Sequence, residues 1–185
     1  MRTSILSRGL VALAVSACFS ALPFAAAAAD ASPPVDVGQQ VPDAGAIKEG
    51  LFPEDACKEL EASGFKCMGF KPAIRYSLPA SSFRVGSADV PEMLKKQLDV
   101  FADVLRAKAG SGRQVRVIGH ADASGAADAN LQLSLRRAES VKSYLVQKGA
   151  DPQMLIAVGQ GSKELKNPSD PTSAENRRVE IGRSQ

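Results

Sequence analysis

The sequence predicts an α/β fold, a two-layer sandwich in which two main helices pack on one face of a mixed sheet of about four strands. From residue 73 onward, short strand-like segments alternate with two long segments of helical periodicity. The resulting order is strand, helix, strand, helix, strand, loop, strand, which is typical of helices packed on one sheet. A cysteine pair before this region predicts an additional short N-terminal helix stapled by a disulfide.

Residues 1–29 have the features of a secretory signal peptide. Arg2 and Arg8 flank the start of an apolar run, and AAAAAD supplies small residues for cleavage near Ala29. The run is about long enough to cross a bilayer, so a retained anchor is an alternative. VSAC, ending at Cys18, is similar to a bacterial lipobox and gives a second alternative, a lipidated outer-membrane protein. Otherwise no membrane span is expected after cleavage.

Charge and composition argue against nucleic acid as a partner. Loss of the signal removes two of the 23 basic residues and none of the 20 acidic ones, which lowers the formal net charge from +3 to +1. Aromatic residues make up only 5% of the chain and Trp is absent, which disfavours a base-stacking platform or an aromatic carbohydrate groove.

Two segments precede the main domain. We predict a flexible linker over residues 30–50, because residues 31–46 carry three prolines and two glycines with little apolar periodicity. Residues 51–72 predict a small helical extension, in which Pro53 suits a first helical turn and Gly64 ends the helix.

Cys57 and Cys67 lie ten positions apart in a chain predicted to be exported, which favours one disulfide. Two thiols and one distant histidine are too few ligands for a metal site. Closing so short a loop should stabilise the fold by roughly 2–3 kcal/mol.

The domain itself is predicted over residues 73–185. AIRYSL and SSFRV are strand-like pieces separated by Pro79, and the segment from Pro91 to Gly110 is an amphipathic helix. Its apolar positions are spaced by three and four: Met93, Leu94, Leu98, Phe101, Val104 and Leu105.

The second half repeats this alternation. RQVRVIGH is a strand, and a second helix runs from about Ala129 to Lys148. MLIAVGQG and NRRVEIGR are further strands, separated by the turn-rich NPSDPTSAE. The inward face of the second helix is predicted to hold Leu131, Leu135, Ala138, Val141 and Leu145.

Polar residues gather where the RQVRVIGH strand ends. Asp122 lies in the loop just beyond His120, while Asn130, Ser134 and Arg137 share one face of the following helix. In a strand–loop–helix unit, the start of the helix lies close to the end of the strand. We therefore expect a carboxylate, a guanidinium and the N–H groups of a helix start at one edge of the sheet.

This constellation has competing interpretations. His120, Asp122 and Ser124 in one extended segment rarely converge on one substrate atom, and no oxyanion-hole signature accompanies them, which disfavours a hydrolase. One His and one Asp are too few ligands for a metal. A purely structural ion pair between Asp122 and Arg137 stays open on the residues alone.

Several separated blocks resemble the OmpA-like peptidoglycan-binding domain of Gram-negative envelope proteins, the family of the OmpA C-terminal domain and Pal. GHADASG, Asn130, LSLRRA and NRRVE follow the family pattern in order and with matching gaps, over about residues 73–183. The resemblance implies the OmpA-like version of the sandwich, a periplasmic, wall-associated protein, and non-covalent binding of diaminopimelate in peptidoglycan peptide stems. It implies no enzymatic activity and no cofactor.

The resemblance also implies site residues. Asp122 and Arg137 match the family's binding aspartate and arginine, and Asn130 and Arg177 match its asparagine and the first arginine of NRRVE. Diaminopimelate ends in an ammonium and a carboxylate on one carbon, which Asp122 and Arg137 can respectively bind. Arg177 is expected to touch the ligand or hold Asp122.

Three further positions bear on the expected binding. His120 is expected to shape the loop by bonding nearby backbone, with ligand contact as the alternative for it. Ala121 replaces the usual threonine, and Arg84 in FRVGS stands where an acid is expected. Both departures weaken the expectation of binding, so the alternative is a degenerate OmpA-like module that recruits an envelope protein through the Cys57–Cys67 segment.

Overall fold

The computed structural model of the chain describes residues 33–69, 72–79, 83–84 and 86–183. The predicted signal peptide, its cleavage near Ala29 and the lipidation of Cys18 lie outside the described residues. The elements in the described part are β1 (Val35–Asp36), α1 (Ala44–Leu51), α2 (Pro53–Ala62), β2 (Tyr76–Pro79), α3 (Glu92–Arg106), β3 (Val115–His120), α4 (Ala127–Gln147), β4 (Leu155–Gly161), a 3₁₀ turn (Ala174–Asn176) and β5 (Arg178–Arg183).

The strands form one mixed sheet in the order β1-β2-β5-β3-β4. β5 runs antiparallel to both of its neighbours, β2 and β3, while β1 pairs with β2 and β3 pairs with β4 in parallel. The α/β prediction and the mixed sheet are confirmed, with five strands in the described part instead of about four.

The core lies between this sheet and α3 and α4. Val117 and Ile181 face each other across β3 and β5, and both are fully buried. The predicted apolar face of α3 is buried except for Met93, which is 42% exposed. On α4, Ala138, Val141 and Leu145 are buried, but Leu131 and Leu135 are only half-buried because they lie over β4, the edge strand of the sheet.

Two strand glycines let α4 rest directly on the sheet. A Cβ on Gly119 would lie 2.0 Å from the carbonyl oxygen of Ser134, and one on Gly159 would lie 2.7 Å from the backbone nitrogen of Leu135. The Ser134 hydroxyl also accepts a hydrogen bond from the backbone N–H of Gly161 at 2.9 Å. The first turns of α4 are thereby fixed over the ends of β3 and β4.

The predicted flexible linker over residues 30–50 is wrong for its described part. β1 extends the sheet, and α1 begins at an N-cap in which Asp43 accepts from the Ala46 N–H at 2.9 Å. Ile47 and Leu51 on α1 are buried in the main core. The strand partner of β1 lies about 40 residues further along the chain, a pairing that composition cannot reveal.

The predicted SSFRV strand is also wrong at its described positions. Phe83 lies in a bend and Arg84 in irregular backbone. The Phe83 ring is buried beneath the guanidinium of Arg137, which lies 5.0 Å from the ring centroid. Packing against a cation on α4, rather than strand pairing, fixes this segment.

The predicted short helix and its disulfide are present. α2 covers Pro53–Ala62, and a disulfide joins Cys57 to Cys67 across 5.2 Å between Cα atoms. α2 is tied to the domain through Asp55, which bonds Arg113 at 2.8 Å and Lys108 at 2.6 Å. The bond to Arg113 is the main reason why the pKa of Asp55 falls to about 2.

None of the helices in the described part of the chain combines the length and apolar character needed to cross a bilayer. In that same part, no three His, Cys, Asp or Glu side chains gather as the ligands of a metal ion would.

Substituting Gly119 by Ala tests the close contact between α4 and β3. The added methyl group would meet helix backbone that has nowhere to move, so we expect Gly119→Ala to lower the free energy of unfolding by about 1–3 kcal/mol or more. Urea unfolding followed by circular dichroism measures this change.

The matched control is Gly45→Ala on the exposed side of α1. There the nearest atom to an added Cβ is the exposed Asp43 carboxylate oxygen that caps α1, at 3.0 Å, which needs to shift by only a few tenths of an ångström, and Ala is the better helix former. A Gly119→Ala protein as stable as the control would contradict the described packing of α4.

Candidate functional site

The candidate site is built on the loop over residues 121–126, between β3 and α4. Its backbone is held from three sides: the Ala121 N–H donates to the Gly161 carbonyl at 2.8 Å, and the Ala123 N–H donates to the Pro171 carbonyl at 2.9 Å. From α4, the Asn130 side-chain amide donates to the carbonyls of Asp122 at 2.8 Å and Gly125 at 3.3 Å. Asn130 therefore fixes the shape of the loop.

Asp122 lies at the centre of this loop and is only 7% exposed. Its Oδ1 accepts from the backbone N–H of Ser124 at 3.1 Å and from the Ser124 hydroxyl. Its Oδ2 accepts from Nη1 of Arg177 at 2.6 Å. Burial raises the pKa of Asp122, but the bonds from Ser124 and Arg177 outweigh it and leave the pKa below its usual value. The carboxylate is therefore ionised at neutral pH.

Arg137 projects from the same face of α4 as Asn130 and is 2% exposed. Its Nε donates to the Ser87 carbonyl at 3.1 Å, and its Nη2 lies 3.5 Å from the Arg84 carbonyl oxygen. Burial, and then repulsion from Arg177, lower the pKa of Arg137, although a guanidinium stays charged in proteins. Among the described residues, no carboxylate lies within salt-bridge distance of it.

The geometry decides one of the open alternatives. A purely structural ion pair between Asp122 and Arg137 is wrong, because the carboxylate of Asp122 bonds Arg177 instead. Asp122 contacts Asn130 through its backbone carbonyl and Arg177 through its carboxylate. The charges of Arg177 and Asp122 both act on the pKa of Arg137. Its hydrogen bonds, however, go to backbone carbonyls. A buried cation beside a partly open ion pair is suited to receive an anion.

The side chains of His120 and Ala121 are both buried. The expectation that the His120 ring bonds nearby backbone is wrong: the ring is fully buried, and its Nε2 lies 3.5 Å from Oε1 of Glu180. Strand pleating explains this, since His120 and Glu180 lie on the same face of neighbouring strands β3 and β5. The side chain of Ala121 is also buried.

Glu180 is the centre of a buried charge cluster within the sheet. Its carboxylate lies 2.6 Å from Nε of Arg178 and 3.0 Å from Nε of Arg75. Burial alone would raise the pKa of Glu180, but the contacts with His120 and Arg178 outweigh it and lower the pKa to about 2. This cluster fixes β5 next to β3, and hence Arg177 next to Asp122.

Two residues have roles at the site that the sequence did not predict. Ser124 caps the Asp122 carboxylate, and the signal for it is the Asp-x-Ser spacing, which commonly forms such a turn. Phe83 supports the Arg137 guanidinium, and no local pattern predicts a contact between positions 54 residues apart. Arg84 contributes its carbonyl oxygen, while its side chain is exposed.

Comparisons with known proteins agree with this fold. The OmpA family profile matches residues 82–179. The peptidoglycan-associated lipoprotein of Pseudomonas aeruginosa is 36% identical over 101 residues, which make up 54% of this chain and 58% of that protein. This chain therefore covers less than two thirds of that relative's length.

Solved structures show the same likeness. The crystal structure of the peptidoglycan-associated lipoprotein from Burkholderia pseudomallei matches with a TM-score of 0.50 and 25% identity, over 56% of this chain and 87% of that one. The periplasmic domain of Helicobacter pylori MotB matches with a TM-score of 0.52 and 23% identity, over 60% and 73% of the two chains. The second likeness concerns the fold alone.

The lowered pKa of Glu180 predicts acid sensitivity. The pKa of Glu180 is about 2 in the folded protein, against an ordinary value of 4.5. The contribution of Glu180 to the free energy of unfolding is therefore complete above about pH 4.5 and is lost as the pH falls toward 2. That contribution is on the order of 3 kcal/mol. Near neutral pH, the Glu180→Gln protein should therefore be several kcal/mol less stable than the unmodified protein, because Arg75 and Arg178 lose their carboxylate partner. On acidification it should lose less stability than the unmodified protein does. Urea midpoints near neutral pH and near pH 3 measure both effects.

Glu139→Gln, at an exposed position of α4, is the matched control and should follow the unmodified protein at both pH values. Equal acid losses in the Glu180→Gln and unmodified proteins would refute this assignment of the charge cluster.

Proposed function

The chain belongs to the OmpA family, and we propose that its domain binds peptidoglycan non-covalently and so anchors the protein to the cell wall. The proposal is supported by the peptidoglycan-associated lipoproteins among its relatives. The structural observation that carries it is the buried guanidinium of Arg137, which has no carboxylate partner among the described residues and lies near the ionised Asp122.

The ligand group that fits this arrangement is the free end of a diaminopimelate side chain. Its carboxylate would take the remaining N–H donors of Arg137, and its ammonium would bind the carboxylate of Asp122. Each charge-assisted bond contributes about 1.5–3 kcal/mol net, so two or three give specific and reversible binding.

Asp122 retains the capacity for this contact. A carboxylate has about four acceptor positions, of which Ser124 occupies two and Arg177 one. An ammonium can take the fourth while Arg177 keeps its bond, so Arg177 acts by holding Asp122 in place. Asn130 acts in the same way, through the loop backbone.

The family is one of anchoring domains rather than enzymes, and the proposed role leaves the bound peptide chemically unchanged. The place of action is the periplasm, at the cell wall. Lipidation of Cys18 would add attachment to the outer membrane. The two departures from the family pattern, Ala121 and Arg84, do not alter the groups proposed to bind, which are the carboxylate of Asp122 and the guanidinium of Arg137. Arg84 contributes only its backbone carbonyl oxygen, which lies beside Arg137.

Titration calorimetry with a soluble muropeptide tests the site. We expect Asp122→Asn and Arg137→Lys each to weaken binding roughly 10–100-fold, because the first variant removes the negative charge and the second removes the planar fork of donors. Arg137→Lys keeps a positive charge over Phe83, and thermal unfolding checks that both variants fold.

Arg136→Gln is the matched control, since it removes a neighbouring, exposed arginine of the same helix. It should bind within about twofold of the unmodified protein. Unchanged affinity in both Asp122→Asn and Arg137→Lys would remove the assigned site.

A further inference from the structure

The chain leaves α2 through a Schellman motif. The N–H of Phe65 donates to the carbonyl of Leu60 at 3.0 Å. The N–H of Gly64 donates to the carbonyl of Glu61, also at 3.0 Å. Gly64 has a φ of 85°, the left-handed backbone that this motif uses. A Schellman motif commonly pairs two apolar side chains, and the residues at those positions here are Leu60 and Phe65.

The disulfide then fastens the next residues back onto α2, because Cys67 is joined to Cys57 in the middle of the helix. Met68 follows directly. The side chains of Leu60, Phe65 and Met68 are 48%, 66% and 94% exposed. We call these three side chains the apolar tip. The tip precedes residue 82, where the match to the OmpA family begins, so it belongs to the part of this chain outside the matched region.

The apolar tip protrudes from the domain. Every residue from Lys58 to Lys66 is exposed, and α2 has no buried residue. Several large apolar side chains exposed in one short segment with polar neighbours mark a contact surface. Because the segment projects outward, it suits a soft surface into which side chains insert. A protein partner would instead need a groove shaped to fit it.

The charges beside the apolar tip leave it slightly cationic. Lys58 and Lys66 are exposed, and neither has a carboxylate partner among the described residues. Glu59 is paired with Lys48 at 3.3 Å, so Glu61 is the one acid of the segment without a cation among those residues. Lysines flanking apolar side chains are typical of protein segments that lie in the interface of an anionic bilayer.

α2, which carries the apolar tip, is attached at the end of the sheet opposite the candidate site. Its Asp55 bonds Arg113, just before β3, whereas Asp122 comes just after β3. The six residues of β3 span about 20 Å. The chain also enters the fold at the Arg113 end, because β1 runs in the same direction as β3.

We propose that the apolar tip inserts into the headgroup region of a phospholipid bilayer. Phe65 and Met68 are the inserted side chains, and Lys58 and Lys66 contact lipid phosphates. Only the direction of this contact rests on the proposed function. With the Asp122 end of the sheet on the wall, the opposite end faces away from the wall and toward an envelope membrane. The domain then bridges the wall and a membrane surface.

The chain contains no Trp, so a single introduced Trp reports on its own surroundings. Phe65→Trp places this reporter in the apolar tip. Met93→Trp, at a position of α3 that is 42% exposed, is the matched control. Both variants are made in the chain from Asp30 onward, which contains every described element. They are mixed with vesicles of phosphatidylethanolamine and phosphatidylglycerol.

We expect the emission of Phe65→Trp to shift to shorter wavelength when vesicles are added, and to be quenched by brominated lipids, because the indole leaves water. The emission of Met93→Trp should not change. Vesicle flotation measures affinity without a reporter. Phe65→Ser combined with Met68→Ser should lower vesicle binding at least about tenfold, whereas Met93→Ser should leave it unchanged. Circular dichroism checks that all variants fold.

Unchanged emission of Phe65→Trp in the presence of vesicles would overturn the proposal. A shift that appears without vesicles and grows with protein concentration would also overturn it, because it would assign the tip to a second copy of this chain. Muropeptide calorimetry separates this proposal from the proposed function. The Phe65→Ser, Met68→Ser protein should bind muropeptide like the unmodified protein, and Asp122→Asn should bind vesicles like it.

Discussion

The contact between α4 and the glycines of β3 and β4 is the constraint on which the rest of the site depends. Gly119 and Gly159 leave no space between the helix backbone and the sheet. This contact brings the start of α4 to the ends of the strands, where Asn130 reaches the loop carbonyls and Arg137 is buried. A larger residue in either strand would lift the helix and separate the groups that make up the site.

Buried charges in this domain are compensated unequally. Glu180 contacts two guanidinium groups, and Asp122 has Arg177 and Ser124. Arg137 has only backbone carbonyls and the face of Phe83 among the described residues. Because burying a charge without a counter-ion costs several kcal/mol, the first two arrangements are what a stable fold requires. The third arrangement is the one that the carboxylate of the proposed ligand would complete.

The sequence predicts most of the fold and part of the site. Periodicity locates α3 and α4, and the ordered blocks of the family pattern locate Asp122, Asn130, Arg137 and Arg177 at one edge of the sheet. β1 could not be predicted, because two residues in a proline-rich segment become a strand only through a partner about 40 positions away. The direction of the His120 ring was missed for the same reason, since it depends on which residue of β5 lies beside it. Local pattern fixes the elements, whereas the partners of buried polar groups depend on strand register.

The central claim is that Arg137 binds the carboxylate at the end of a diaminopimelate side chain while Asp122 binds the ammonium on the same carbon. Replacing diaminopimelate by lysine in an otherwise identical stem peptide deletes that carboxylate and keeps the ammonium. Calorimetry of both peptides with the unmodified protein is therefore the most direct measurement. We predict that the diaminopimelate peptide binds roughly 10–100-fold more tightly. Equal affinities would contradict the assignment of Arg137 as the carboxylate-binding group.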